Sequence, residues 1–393
     1  MKYILVILDG MADEPLPELD GKTPMMVARK PNLDQLAAKG QVGIVHTTPP
    51  GLPPGSDVTN LGILGYDPNK YYTGRGPLEA ASLEIPLDTR DVAFRCNLVS
   101  TDGAHITESS AGHISTEDAR VLIELIDQKL GTSQIKFYPG VSYRHITVWH
   151  DGSADVECTP PYKIVGEPFD KYLPKGDGED KLKSMIYDSL EILDNHPINR
   201  RRVDEGHDPA NMIWFWGQGV QPDIPNFLSM RGVTGSVIAA VDLIRGIGRM
   251  VGLRVVDVPG ATGYIDTNYL GKGQYALAAL KDRDFAWVHI EAPDEAAHEG
   301  NLDAKIEAIE NIDKLVVGTI LNGMKDLGDF RLLALPDHPT PVKTGSHTSD
   351  PVPFLLYSST QERSNSLPFD ERALEDAKLR VEEGHRLIEL LLG

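Results

Sequence analysis

Three short apolar runs, far apart in the chain, each lead into acidic or imidazole side chains. Tyr3 to Leu8 runs into Asp9, and Phe285 to Ile290 into Asp294 and His298. Arg331 to Leu335 runs into Asp337 and His338, with His347 nine residues further on. Runs of this length suit strands buried on both faces of a parallel sheet. Ligands of open α/β sheets gather beyond the carboxyl ends of the strands, so these side chains are expected to converge. The expected fold is therefore α/β, with a mostly parallel sheet flanked by helices.

The middle of the chain reads differently. From Asp88 to Asp208 alternating stretches such as VAFRCNLVS, SYRHITVWH and ADVECTP mix with helical segments at Ile123 to Leu130 and Met185 to Leu193. Antiparallel strands beside helices predict an α+β domain at 88–208, inserted between core segments 1–87 and 209–393. The core is expected to resume at NMIWFWG. Within it, Pro31 to Lys39 reads as a helix opened by Pro and stopped by Gly40, and Asp303 to Met324 as one long helix.

Charge and cysteine usage exclude several classes. Lys+Arg 38 against Asp+Glu 58 gives a formal net charge of −20, a field that repels nucleic acid and anionic membranes. Cys96 and Cys158 form no paired motif, which argues against a disulfide framework or thiolate metal site and for a reducing, cytoplasmic setting. Asp9 interrupts the first apolar run too early for a signal peptide, and no later stretch approaches a membrane span. A small substrate is the expected partner, with the chain a monomer or small homo-oligomer.

Asp294 and His298 are four apart at the start of an expected helix, hence on one face. With Asp337, His338 and His347 they form a carboxylate–imidazole set that suits Zn²⁺ or Mn²⁺. Ser56 follows the stiff segment TTPPGLPPG at a turn-to-helix junction, where a serine is ordinarily a helix cap. Two metals about 3.5–4 Å apart would instead make it a nucleophile for in-line phosphoryl displacement.

The fragments ILDGMAD, PGSDVTNLGILGYDP, GRGPLEAAS, EAPDEAAH, LPDHPTP and HTSDPVPF resemble the archaeal-type, cofactor-independent phosphoglycerate mutases of the alkaline phosphatase superfamily. The resemblance runs almost end to end in motif order. It implies an alkaline-phosphatase-like core with an inserted substrate-covering domain, and an isomerase that interconverts 2- and 3-phosphoglycerate without bisphosphoglycerate. It also implies Ser56 as the phosphorylated nucleophile. One divalent metal would be held by Asp9, Ser56, Asp337 and His338, the other by Asp294, His298 and His347. Arg75, Arg95 and Arg144, with His145 and Arg245, match the positions expected to hold the substrate. Two positions depart from the pattern: Asn60 stands where a histidine is expected, and Ala111-Gly112-His113 where Ala-Gly-Arg is. These departures keep a homoserine kinase-like phosphotransferase in view, and a phosphomonoester hydrolase would use the same serine.

Overall fold

Lys2–Leu8 (β1) lies inside an eight-stranded sheet and is buried from Ile4 onward. In chain order the other strands are Gln41–Val45 (β2), Gly235–Ile238 (β3), Arg254–Val255 (β4), Phe285–Ile290 (β5), Phe330–Leu335 (β6), Val352–Ser358 (β7) and Arg380–Val381 (β8). Their spatial order is β4-β3-β5-β1-β6-β7-β2-β8, and only β7 runs against its neighbours. The expected α/β sheet is present and mostly parallel.

Register positions the site. Leu8 faces Ile290 across the β1–β5 ladder, and Ile7 faces Leu335 across β1–β6. The three strands therefore end almost flush, and the residues beyond them leave the sheet at one edge. The Asp9 amide closes the first ladder by donating to the Ile290 carbonyl at 3.0 Å.

The structure is a computed structural model describing residues 1–363 and 367–393. It divides into two units, Met1–Tyr72 with Ile224–Gly393, and Thr73–Asp223. The first unit includes helices Pro31–Lys39 (α1), Ser56–Ile63 (α2), Ala292–His298 (α3) and Leu302–Asn311 (α4). The long helix expected from Asp303 to Met324 is interrupted: a π-helical stretch, Ile312–Val317, separates α4 from Gly318–Leu327. There Asp313 is turned inward, and its carboxylate accepts from the Asn32 and Leu33 amides at the start of α1. Among the described residues no helix is long and apolar enough to cross a membrane.

The second unit is built on an antiparallel five-stranded sheet. Its long strand, Asp91–Thr101, pairs with Ile106–Glu108, Arg144–His150 and Met212–Val220, and Ile135–Tyr138 extends the edge. Helices Thr116–Leu130 and Glu179–Leu193 pack on this sheet and on each other. Phe94, Trp214 and Phe215 are fully or almost fully buried in the core of this unit. The α+β character matches expectation, but the division falls at 73 and 223 rather than at 88 and 208. Helix Arg75–Ser82 packs on Asp91–Thr101 and Met212–Val220, which draws the residues before 88 into this unit. NMIWFWG does not return to the parallel core; it pairs antiparallel with Asp91–Thr101. Met212 to Trp216 is buried on both faces, and such a run does not reveal the direction of its neighbours.

Candidate metal centre and serine

Asp9, Asp294, His298, Asp337, His338 and His347 all come together in the first unit, beyond the ends of β1, β5 and β6. Helix α3 carries Asp294 and His298 one turn apart, so Asp294 Oδ2 meets His298 Nε2 at 3.1 Å and Oδ1 lies 3.4 Å from His347 Nε2. His338 Nε2 stands 3.4 Å from Asp9 Oδ1 and 3.5 Å from Asp337 Oδ2. The loop after β1 allows this crowding because residue 10 is glycine. Its φ is +60°, and a Cβ there would come within 2.3 Å of Asp294 Oδ1.

The histidines are oriented by their other ring nitrogens. His298 Nδ1 donates to the Gly345 carbonyl at 2.8 Å, and His347 Nδ1 to the Pro54 carbonyl at 2.9 Å. A carbonyl only accepts, so in the neutral ring the lone pair sits on Nε2, facing the cluster. Their Nε2 atoms stand 3.0 Å apart.

Ser56 is not a helix cap. Gly55 occupies the cap position of α2, and Ser56 is the first helical residue, with Oγ 3.1 Å from His338 Nε2. Asn60, one turn on, donates from Nδ2 to Asp337 Oδ2 at 2.8 Å and to the Ser56 carbonyl at 3.0 Å. Thr59 adds a second donor to Asp337 Oδ2 at 3.1 Å. The helix that presents the serine thus also holds Asp337.

Whether these residues fit metal ions is answered by their unmet demands. Both oxygens of Asp9 are buried without a hydrogen-bond partner, and so are both nitrogens of His289, whose Nε2 is 3.3 Å from Asp9 Oδ2. A buried carboxylate without donors costs several kcal/mol or takes up a proton instead. Burial, followed by the charges of Asp337 and Asp294, holds Asp9 well above the usual carboxylate range. At Asp294 burial opposes ionisation, but His298 and His347 outweigh it and hold that carboxyl well below its ordinary value. Burial likewise opposes a charge on His298, yet Asp294 and the Gly345 carbonyl raise it to about 9. Within this cluster three groupings have their ligand atoms within 4.8 Å of one another: Asp294–His298–His347, Asp9–Asp294–His338 and Asp9–His289–Asp337. Their oxygen and imidazole donors, with no thiolate, fit divalent ions of the Zn²⁺ or Mn²⁺ type.

Four of the five expected substrate residues, Arg75, Arg95, Arg144 and His145, belong to the second unit. Arg75 and Arg95 share the Glu79 carboxylate, Arg75 through Nε at 2.7 Å, and Arg95 also donates to Asn97 Oδ1 at 2.9 Å. The two guanidinium carbons lie 5.5 Å and 4.9 Å from the Trp216 ring centre. Burial disfavours a charge on Glu79, but Arg95 and Arg75 together hold its carboxyl down at about 2. Arg144 stacks on Tyr143 at 5.4 Å. His145 is buried, accepts from the Gly140 amide at Nδ1, and is pushed down to about 3 by burial and by the Arg95 and Arg144 charges. It is a neutral ring. Arg245 belongs to the first unit, on helix Asp242–Met250, and bonds Asp257 at 2.7 Å.

Sequence reasoning missed His289, Thr340 and Glu79; it singled out Asn60 only as a departure, without its bond to Asp337. His289 sits inside the apolar run FAWVHI and reads as core. Glu79 carried a signal, its spacing of four from Arg75 on one helix face.

A serine hydroxyl beside clustered carboxylates and imidazoles, at the strand ends of a mostly parallel sheet, defines an α/β enzyme of the divalent-metal class. The comparisons narrow that class. Residues 37–199 match the family model for 2,3-bisphosphoglycerate-independent phosphoglycerate mutase. The chain is 50% identical, over all of both chains, to a Geobacter sulfurreducens protein named probable 2,3-bisphosphoglycerate-independent phosphoglycerate mutase. It is 48% identical, again over all of both, to the 2,3-bisphosphoglycerate-independent phosphoglycerate mutase of Methanosarcina mazei. A solved structure of a Pyrococcus horikoshii protein superposes with a TM-score of 0.83 at 31% identity, covering 100% of this chain and 97% of that one. The chain belongs to the 2,3-bisphosphoglycerate-independent phosphoglycerate mutase family.

Proposed function

We propose that this protein interconverts 2- and 3-phosphoglycerate without bisphosphoglycerate, through a phosphoserine at Ser56. The observation that carries the reading is the Ser56 hydroxyl, freed from any capping role and set 3.1 Å from His338 Nε2 within the cluster. Two divalent ions, Mn²⁺ or Zn²⁺, when bound would lower the pKa of the serine hydroxyl and offset charge on the phosphoryl oxygens. Asp9, Ser56, Asp337 and His338 would hold one, and Asp294, His298 and His347 the other.

Ser56 gives up its proton, and its Oγ bonds phosphorus as the bond to the glycerate oxygen breaks. That oxygen takes up a proton. In the return step the other glycerate hydroxyl loses its proton and bonds phosphorus, the bond to Ser56 Oγ breaks, and Oγ takes a proton back. Asn60 keeps both the serine backbone and the Asp337 carboxylate in place through this cycle, at the position where a histidine was expected.

In the second unit Arg75, Arg95 and Arg144 form a basic group around a single carboxylate, Glu79. Planar guanidinium forks suit a phosphorylated carboxylate in a chain of net charge −20. Arg75, only half-buried, is the member best placed to bind, with Arg95 supporting it from beneath. His145, as a neutral ring, and Arg245, on the first unit, are lesser contributors. The substrate-covering role of the second unit, a cytoplasmic setting and a monomeric or small homo-oligomeric state complete the reading. Only Cys96 and Cys158 occur, in no paired motif, which suits a reducing compartment.

The test is an isomer-conversion assay on metal-loaded protein without bisphosphoglycerate. Interconversion supports the mutase. ATP-dependent phosphorylation of homoserine with no interconversion would replace it with the kinase, and phosphate release faster than isomer formation would replace it with the hydrolase.

A further inference from the structure

Thr340 joins two of the ligand groups through one hydroxyl. Its Oγ1 donates to Asp294 Oδ1 at 2.5 Å and lies 3.2 Å from His338 Nδ1. A threonine hydroxyl has a single proton, so with that proton on Asp294 its lone pair accepts from His338 Nδ1–H. This choice puts the His338 lone pair on Nε2, the atom facing Ser56, Asp9 and Asp337. Thr340 does for His338 what the Gly345 and Pro54 carbonyls do for His298 and His347, and it also orients Asp294.

Beneath Thr340 lies a buried ion pair that the reaction does not use. Lys305 Nζ donates to Asp13 Oδ2 at 2.8 Å, to the Thr340 carbonyl at 2.8 Å and to the Ala12 carbonyl at 3.3 Å. All three ammonium protons are thereby used, and both charged side chains are fully buried. Thr340 is held from its other end as well, its amide donating to the Ala12 carbonyl at 3.1 Å. A buried ion pair contributes little net stability compared with apolar packing, so its presence under this backbone favours a role in fixing geometry.

We propose that Thr340 is a positioning residue coupling the two metal groups, kept in register by the Lys305–Asp13 ion pair beneath it. The inference rests on the two-metal reading of the site. Apo protein is titrated with Mn²⁺, and free Mn²⁺ is counted by electron paramagnetic resonance for the parent, Thr340→Ser, Thr340→Val and Lys305→Met. Near-ultraviolet circular dichroism reports folding. The parent binds two Mn²⁺, and Thr340→Ser stays within about threefold of it, because the hydroxyl is kept. Thr340→Val loses roughly 10- to 100-fold in affinity, the range expected when an outer partner of metal ligands is removed. Lys305→Met, which keeps the hydroxyl but releases the Thr340 carbonyl, loses part of that affinity. If Thr340→Val does not fold, Thr340→Ala is titrated against the same expectation. A valine or alanine variant that binds both ions as the parent does overturns the proposal, as does a serine variant that loses as much as valine. A parent that binds no Mn²⁺ overturns the two-metal reading itself, an outcome visible before any variant is made.

Discussion

Ser56 Oγ stands 3.1 Å from His338 Nε2, although 282 positions separate the two residues. The contact places the hydroxyl against a ring whose other nitrogen is already engaged, so the serine is presented to the cluster and not to its own helix. Ser56→Ala should lower interconversion by at least ~10³-fold, as loss of a covalent nucleophile does. The fold should survive, since Gly55 and not Ser56 caps the helix. Activity retained within tenfold would leave the phosphoserine route without its central residue.

Stripping divalent ions with a chelator should abolish interconversion, and adding Mn²⁺ or Zn²⁺ should restore it. Secondary structure should persist throughout, because the sheet beneath the cluster is apolar from Ile4 to Leu8 and Phe285 to Val288. Activity, bound metal and circular dichroism measured on the same sample decide it. Full turnover in metal-free protein is the adverse result.

Glu79 ties the stability of the second unit to acid. Its carboxyl is held at about 2, below the ordinary 4.5, so the contribution is complete above pH 4.5. It is lost as pH falls from there toward 2, because the unfolded chain then binds a proton that the folded unit does not. Glu79→Gln should cost about 3 kcal/mol at pH 7, and the gap from the parent should narrow steadily below pH 4.5. Urea unfolding at pH 7, 4.5 and 3, followed by tryptophan fluorescence, would expose a gap that stays constant or widens in acid.

Arg75→Lys preserves charge but removes the planar fork. If Arg75 binds substrate, kcat/KM should fall by roughly 10- to 100-fold, about 1.4–2.7 kcal/mol of transition-state binding. The melting temperature should move little, since Arg95 still pairs with Glu79. Unchanged kcat/KM would assign Arg75 to supporting Glu79 alone.

What the sequence made legible was whatever repeats along the chain or comes directly after a strand. Phe285 to Ile290 and Pro31 to Lys39 are observed with the bounds that their patterns suggested. Asp9, Asp294, Asp337 and the three histidines could be gathered because each comes after an apolar run, and burial on both faces makes such runs uniform. That uniformity also hid things. NMIWFWG looked like a core strand of the parallel sheet, since apolar character carries no direction. His289 vanished inside FAWVHI for the same reason. The interruption at Ile312–Val317 escaped because the isoleucine spacing continues through it, while the inward turn of Asp313 depends on a partner helix 280 residues away. Thr340 and Asn60 also bond carboxylates far away in sequence, Asp294 and Asp337, and no local pattern encodes those contacts.

The placement of β1 between β5 and β6 has a consequence for how the protein is made. A ribosome delivers Lys2–Leu8 long before its lateral neighbours, Phe285–Ile290 and Phe330–Leu335. The opening strand must wait, apolar and unpaired, while the contiguous residues 73–223 emerge with all their sheet partners at hand. Domains that are contiguous in sequence assemble early, and pairings between distant segments assemble late. His347 joins the cluster later still, so a nascent chain cannot assemble the complete ligand set until residue 347 has been added. Chaperone demand during synthesis should accordingly centre on the first strand, and premature termination before residue 330 should leave it exposed as an aggregation-prone edge.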